Sequence, residues 1–317
     1  MENNHSDKTI HQLCDKDPVI LSAMEGWPAG RYQLLPQHVG AIQAAYFCQR
    51  PLLVRGGPGL GKSQLAQAVA SILGWGLIST VVHYNTTVDD LLYSVDHVKR
   101  LDEANRADSI VGEMADYIRP GKVWQAIAPS SVKNYSVEPP HNLPGTVLLI
   151  DEIDKAQPSL PNALLEVLAN GAISCPYLKN TVKADPQHPC FVLITSNDER
   201  LLPQAFLRRC AILDIELPDT RELALQWMMN IFKAHYPDKK EQSELAELAQ
   251  TVAMQVLERR ETMEKNDDYL VGTSEFLDML RTLKKFDKDE RSEKLTVFSE
   301  HLIDKSQFRA VAGKNHG

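Results

Sequence analysis

Lys62 and Ser63 close the stretch Gly56-Gly57-Pro58-Gly59-Leu60-Gly61-Lys62-Ser63, which fills every fixed position of the pattern G-x-x-x-x-G-K-[ST]. Glycines let the backbone turn tightly, so that successive N–H groups face inward onto phosphate oxygens, and a helix that follows adds the positive end of its dipole. Lys62 is expected to reach the β- and γ-phosphates, and the Ser63 hydroxyl to take a place on Mg²⁺. The expected cradle runs through Gly57, Pro58, Gly59, Leu60, Gly61, Lys62, Ser63 and Gln64, and the implied ligand is a nucleoside triphosphate.

Two carboxylates further along the chain have the spacing that makes such a ligand a reactant. Val147-Leu148-Leu149-Ile150-Asp151-Glu152-Ile153-Asp154 is an apolar strand ending in acids, the arrangement that sets a metal-binding carboxylate beside a phosphate loop. Asp151 is expected to hold Mg²⁺, together with Ser63, and Glu152 to accept a proton from the attacking water. Ser196-Asn197-Asp198 ends another apolar run. The Asn197 amide can orient water or contact the γ-phosphate, and the same residue types also favour a plain turn. Arg208 and Arg209 follow an apolar helical turn, as a surface pair or as guanidinium groups that neutralise phosphate charge from a neighbouring subunit.

The flanking sequence supplies elements able to hold these groups. Residues 51–55 (PLLVR) read as a strand entering the loop, and Gln64 to Leu73 has the apolar spacing of a helix leaving it. Further strands are expected at 77–83, 146–150 and 191–195, with helices over 35–49, around 88–101 and over 160–169. Strands alternating with helices, with apolar interiors, indicate an α/β fold with a parallel sheet covered on both faces. After about Pro218 only amphipathic helical patterns remain, over 221–236, 244–264 and 274–286. The expected organisation is a flexible arm over 1–25, a nucleotide-binding α/β domain over 26–218, a small all-helical lid over 219–290 and a C-terminal helix or tail over 291–317. Residues 85–144 form a long excursion of the kind that is an insertion with a function or a disordered segment.

With 317 residues and 43% hydrophobic composition, the chain can bury a sizeable core. A net charge of -8 argues against a broad nucleic-acid-coating surface and leaves nucleic acid a secondary partner. The five cysteines form no C-x-x-C pair, and no apolar run approaches the roughly 20 residues of a membrane-spanning helix. With a polar N-terminal stretch, these features lead to the expectation of a cytoplasmic protein without membrane insertion.

Taken in order, GGPGLGKS, VLLIDEID, LPNALLEVLANG, LITSND and LPQAFLRRC resemble the Walker A, Walker B, following helix, sensor-1 and arginine-finger segments of an AAA+ ATPase of the MoxR type. HYNTTVDDLLYSVDHVKRL with PGKVWQAI resembles the insertion-bearing region of the MoxR-like proteins associated with von Willebrand factor A (vWA) domain partners, and the whole match covers about residues 30–290. The resemblance implies an AAA+ P-loop αβα sandwich with a helical lid. It also implies ATP and Mg²⁺ as ligands, and a hexameric ring that hydrolyses ATP at subunit interfaces to remodel or activate a client such as a vWA protein. The alternatives are a slowly hydrolysing regulatory scaffold and a nucleic-acid-associated AAA+ component. Under the resemblance, Lys62, Ser63, Asp151, Glu152 and Asn197 act within one subunit, Arg209 or its neighbour Arg208 reaches the next, and residues 171–190 form the pre-sensor-1 hairpin. One departure stands out. The lid stretch Val271-Gly272-Thr273-Ser274-Glu275-Phe276-Leu277 lacks the sensor-2 arginine, leaving Arg281, further along the same helix, as a substitute or as a surface or lid-core residue.

Overall fold

The computed structural model describes residues 3–106, 112–135, 143–265 and 271–304. In chain order the elements are α1 (Asn3–His11), β1 (Val19–Leu21), β2 (Gly30–Tyr32), α2 (Pro36–Phe47), β3 (Leu52–Arg55), α3 (Lys62–Leu73), β4 (Gly76–Val81), α4 (Val88–Leu92), β5 (Tyr93–Val95), α5 (His97–Asn105), β6 (Ile118–Pro120), α6 (Lys122–Ile127) and α7 (Pro129–Val132). They continue with β7 (Thr146–Asp151), α8 (Leu160–Asn170), β8 (Ala172–Ile173), β9 (Val182–Lys183), β10 (Cys190–Ser196), α9 (Gln204–Leu207), β11 (Ala211–Asp214), α10 (Arg221–His235), α11 (Lys239–Lys265), α12 (Thr273–Leu283) and α13 (Arg291–Leu302). The chain divides into two compact units: the described residues within Met1–Gly30, Leu34–Arg55 and Ser63–Asp214, and those within Arg31–Gln33, Gly56–Lys62 and Ile215–Gly317.

The first unit is built on a five-stranded sheet in the order β11-β3-β10-β7-β4, parallel at every pairing. Its interior strands read as unbroken apolar runs because both faces are covered. Leu52, Leu53 and Val54 of β3, and Val147, Leu148, Leu149 and Ile150 of β7, have no exposed surface. Strand order reverses at β3, with β11 on one side and β10, β7 and β4 on the other. In open parallel sheets a ligand binds beyond the carboxyl ends of the strands at such a switch, and it is from that end of β3, at Arg55, that the chain enters Gly56–Ser63. The second unit contains α10 to α13, whose inward faces bury Phe232, Ala249, Val256, Phe276, Met279 and Leu280. Among the described residues no helix is long and apolar enough to cross a membrane.

Several local expectations change. The helix expected around 88–101 is broken in two. Thr87 caps α4 by accepting the Asp90 N–H, the extended Tyr93–Val95 pairs antiparallel with Ile118–Pro120, and Asp96 caps a second helix by accepting the Lys99 N–H. The excursion then returns to the core, where Val123 and Trp124 of α6 are fully buried. The N-terminal segment is not wholly a loose arm: Ile10 of α1 is fully buried and its carbonyl accepts from the Gln43 side chain of α2. A fifth sheet strand, β11, lies where the sequence predicts none, because Ala211-Ile212-Leu213-Asp214 is short, half-exposed and at an edge. Residues 107–111 of the excursion, 136–142 of its loop-rich end and 305–317 of the expected tail lie outside the described residues.

Candidate nucleotide site

Gly56, at φ +139°, can be no other residue without rearrangement, since a Cβ there would stand 2.1 Å from the Ile215 carbonyl oxygen. Gly59 and Gly61 also have positive φ, so the loop curls through conformations that side-chain-bearing residues avoid. The Lys62 side chain turns back into this curl. Its Nζ donates to the carbonyls of Gly56 at 2.8 Å and Gly57 at 2.7 Å, and the residue is 6% exposed. The loop therefore holds a buried ammonium group on two of its own carbonyl oxygens, placing a positive charge inside the curl. Leu60 anchors the loop at 4% exposure, while Gln64, on the first turn of α3, is exposed.

At the carboxyl ends of β7 and β10, hard oxygen atoms converge. Ser63 Oγ donates to Asp151, 2.8 Å from Oδ1 and 3.0 Å from Oδ2. Thr195 Oγ1 donates to Asp151 Oδ1 at 2.5 Å and accepts the Glu152 N–H at 2.9 Å. The parallel register of β7 with β10, pairing Ile150 with Ile194, brings Thr195 to this spot. A serine hydroxyl touching a carboxylate, with no sulfur or imidazole in the set, suits Mg²⁺, which takes few protein oxygens and completes its shell with water and phosphate. The residues present fit the metal.

Glu152 adopts the left-handed conformation, φ 61° and ψ 48°, so the chain turns sharply off β7 and the carboxylate leaves the line of the strand. Asn197 Nδ2 donates to Glu152 Oε1 at 3.3 Å, and Lys155 Nζ donates to Oε2 at 2.8 Å. The hydrogen bond to Glu152 raises the pKa of the Lys155 ammonium above its ordinary value. Asn197 is itself fixed from below. Asp154, 2% exposed, accepts the N–H of Asn197 at 3.2 Å and of Glu199 at 3.0 Å through Oδ2, and so clamps the turn in which Asp198 has φ 59°. Sequence reasoning passes over Asp154 and Thr195. The signal for Asp154 is a third acid inside DEID, and Thr195 offers none beyond its place at the end of the strand.

The structure brings Ser63, Asp151, Glu152 and Asn197 together and leaves the two arginines elsewhere. Arg208 and Arg209 are exposed and immediately precede the β11 region, whose register Ala211↔Leu52 and Asp214↔Arg55 puts them at the amino edge of the sheet. Four residues of strand separate that edge from the carboxyl ends, about 13 Å of rise. They line a cleft of about 800 Å³ with Arg50, Tyr46, Trp75 and His188. Arg281, the expected substitute in the lid helix, is exposed and paired with Asp278 one turn earlier at 3.3 Å.

A family model described as an AAA domain of the dynein-related subfamily matches residues 51–210, which contain Lys62, Ser63, Asp151, Glu152, Asn197, Arg208 and Arg209. Among solved structures, the chain is similar to a mutant of Thermotoga maritima RuvB, at 17% identity over 78% of this chain and 68% of that one, with a TM-score of 0.38. No curated protein sequence matches the chain.

Proposed function

The chain belongs to the AAA domain family, dynein-related subfamily, and has its AAA+ P-loop fold with C-terminal helices; from this and the site geometry we propose that it hydrolyses ATP at the interfaces of a ring and uses the cycle to remodel a partner protein. The observation that carries the reading is the cluster in which Ser63 touches Asp151 while Asn197 holds the Glu152 carboxylate. Backbone N–H groups from Gly57 to Gln64 cradle the phosphates, and Lys62 leaves its loop carbonyls to neutralise them. Ser63 and Asp151 hold Mg²⁺, which when bound neutralises charge on the phosphate oxygens. Glu152 takes the proton of the attacking water, and Asn197 sets the angle of its carboxylate.

Arg209 has no path to this cluster within its own chain, and its exposure at the opposite sheet edge supports action on a neighbour's γ-phosphate, with Arg208 beside it as the second candidate. A hexamer of the MoxR type, a separate client such as a vWA protein, and a cytoplasmic setting complete the proposal. The hairpin of β8 and β9, pairing Ala172 with Lys183, supports the assignment of residues 171–190 as the pre-sensor-1 element. A slowly hydrolysing scaffold is the second reading, favoured by Lys155, which occupies Glu152 Oε2 and competes with water for the base.

Mixing subunits tests the ring-shared site. Arg209→Ala and Lys62→Ala chains are each expected to lack turnover alone and to regain part of it when mixed, because one supplies the loop and the other the finger. Mixtures as inactive as their components would show that Arg209 does not act across an interface.

A further inference from the structure

A helix start leaves backbone N–H groups without intrahelical partners, and Gly272, at the N-cap of α12, has no side chain with which to take one up. The phosphate loop supplies an acceptor in its place. Gly59 O accepts the Ser274 N–H at 3.1 Å, and with it Thr273 Oγ1 at 2.5 Å and Ser274 Oγ at 3.3 Å. The Gly272 N–H is satisfied within the helix itself, by Glu275 Oε2 at 2.9 Å. One loop carbonyl thus answers three donors of α12, and the loop caps the helix as much as the helix holds the loop.

The two backbones pack closely. A Cβ on Gly272 would stand 3.2 Å from Gly59 O and 3.3 Å from Pro58 O. Phe276, further into α12, is fully buried in the helical core, so the helix is a fixed support for that carbonyl. Gly56–Lys62 and α12 belong to the same compact unit.

Peptide geometry converts this grip into a direction. In a planar trans peptide the C=O of one residue and the N–H of the next point opposite ways. With Gly59 O tied to α12, the Leu60 N–H is aimed off the helix. Gly59 has φ +73° and, as a glycine, imposes little preference of its own on that peptide, so its orientation must be set from outside. Of the two hydroxyls on Gly59 O, Thr273 Oγ1 makes the shorter contact and belongs to a residue only 6% exposed.

We propose that Thr273 is a positioning residue of the phosphate loop: its hydroxyl, with Ser274 beside it, turns the Gly59–Leu60 peptide so that the Leu60 N–H faces the phosphates ATP and ADP share. The proposal rests on the reading of Gly56–Ser63 as a nucleotide site, and adds to it a residue 214 positions further along the chain. Loop N–H groups of this kind cradle the α- and β-phosphates, so the effect falls on the binding of both nucleotides and not on the hydrolytic step.

The test compares Mg-ATP and Mg-ADP affinities by calorimetry, with turnover at saturating ATP and unfolding temperature, for wild type, Thr273→Val, Thr273→Ser, Phe276→Leu and Lys62→Ala. Thr273→Val keeps the shape of the side chain and loses the hydroxyl. It is expected to bind both nucleotides roughly fivefold more weakly, the scale of one hydrogen bond, with kcat within about twofold of wild type. Thr273→Ser returns the hydroxyl and should restore binding. Phe276→Leu loosens the same helix without touching the donors on Gly59 O, and should lower the unfolding temperature while leaving both affinities within about twofold. Unchanged affinity in Thr273→Val, a loss confined to ATP, no restoration by Thr273→Ser, or an equal loss in Phe276→Leu would overturn the proposal. Lys62→Ala separates the two levels. If it binds nucleotide as wild type does, the nucleotide-site reading falls and this proposal with it; if it abolishes binding while Thr273→Val changes nothing, only the role of Thr273 falls.

Discussion

Ser63 and Asp151 share two hydrogen bonds, the serine hydroxyl lying 2.8 and 3.0 Å from the two carboxylate oxygens. Residues 88 apart in sequence are thereby joined as one hydroxyl and one carboxylate, a pair that suits a divalent cation.

Ser63→Ala is accordingly expected to raise the Mg²⁺ concentration for half-maximal turnover by roughly tenfold or more, with ATP held saturating. Asp151→Asn should do the same. A titration of Mg²⁺ against phosphate release checks both, and an unchanged midpoint in either variant would remove that residue from the metal site.

Asp154 accepts two backbone N–H bonds from the Asn197 turn while almost fully buried. Replacing it with alanine strands those donors, at about 1–3 kcal/mol of stability. It should also lower kcat by roughly tenfold, through misplacement of Asn197 against Glu152, and leave ATP affinity near wild type. Urea unfolding and steady-state kinetics report the two effects separately. Normal kcat in a destabilised variant would make Asp154 a folding residue alone.

How much of the fold and the site is legible in the sequence follows from how local each signal is. The phosphate loop, the acids ending β7 and the amide after β10 all sit in short windows whose residue types are dictated by backbone geometry or by charge, and each can be read with its neighbours. Thr195 and Asp154 act through bonds to residues brought close only by the register of β7 with β10; Asp154 shows itself in its own window only as a third acid inside DEID, and nothing there marks Thr195. The same holds for β11, too short for a periodic pattern, and for the break at Tyr93, which exists because a strand more than 20 residues later pairs with it.

Acid should destabilise the first unit through His38. Burial pushes its imidazole down to about 4, and its Nδ1 accepts the Leu35 N–H at 3.3 Å, a bond that protonation removes. In the unfolded chain the same group titrates near 6.5. Between those values the unfolded state binds the extra proton, so stability falls as pH drops from about 6.5 towards 4, by at most on the order of 3 kcal/mol. Unfolding free energies measured across that range should flatten in His38→Asn, which retains an acceptor and cannot titrate there. An identical pH slope in that variant would assign the effect to other groups.

Activation of water by Glu152, against a nucleotide already held by the loop, is tested by one paired measurement: ATP affinity and phosphate release for wild type and Glu152→Gln, side by side. Both proteins should bind ATP within a fewfold of each other, and turnover should drop by about 10² to 10⁴ in the variant, the usual worth of a general base. Undiminished phosphate release by Glu152→Gln, with ATP bound as in wild type, would rule out Glu152 as the general base.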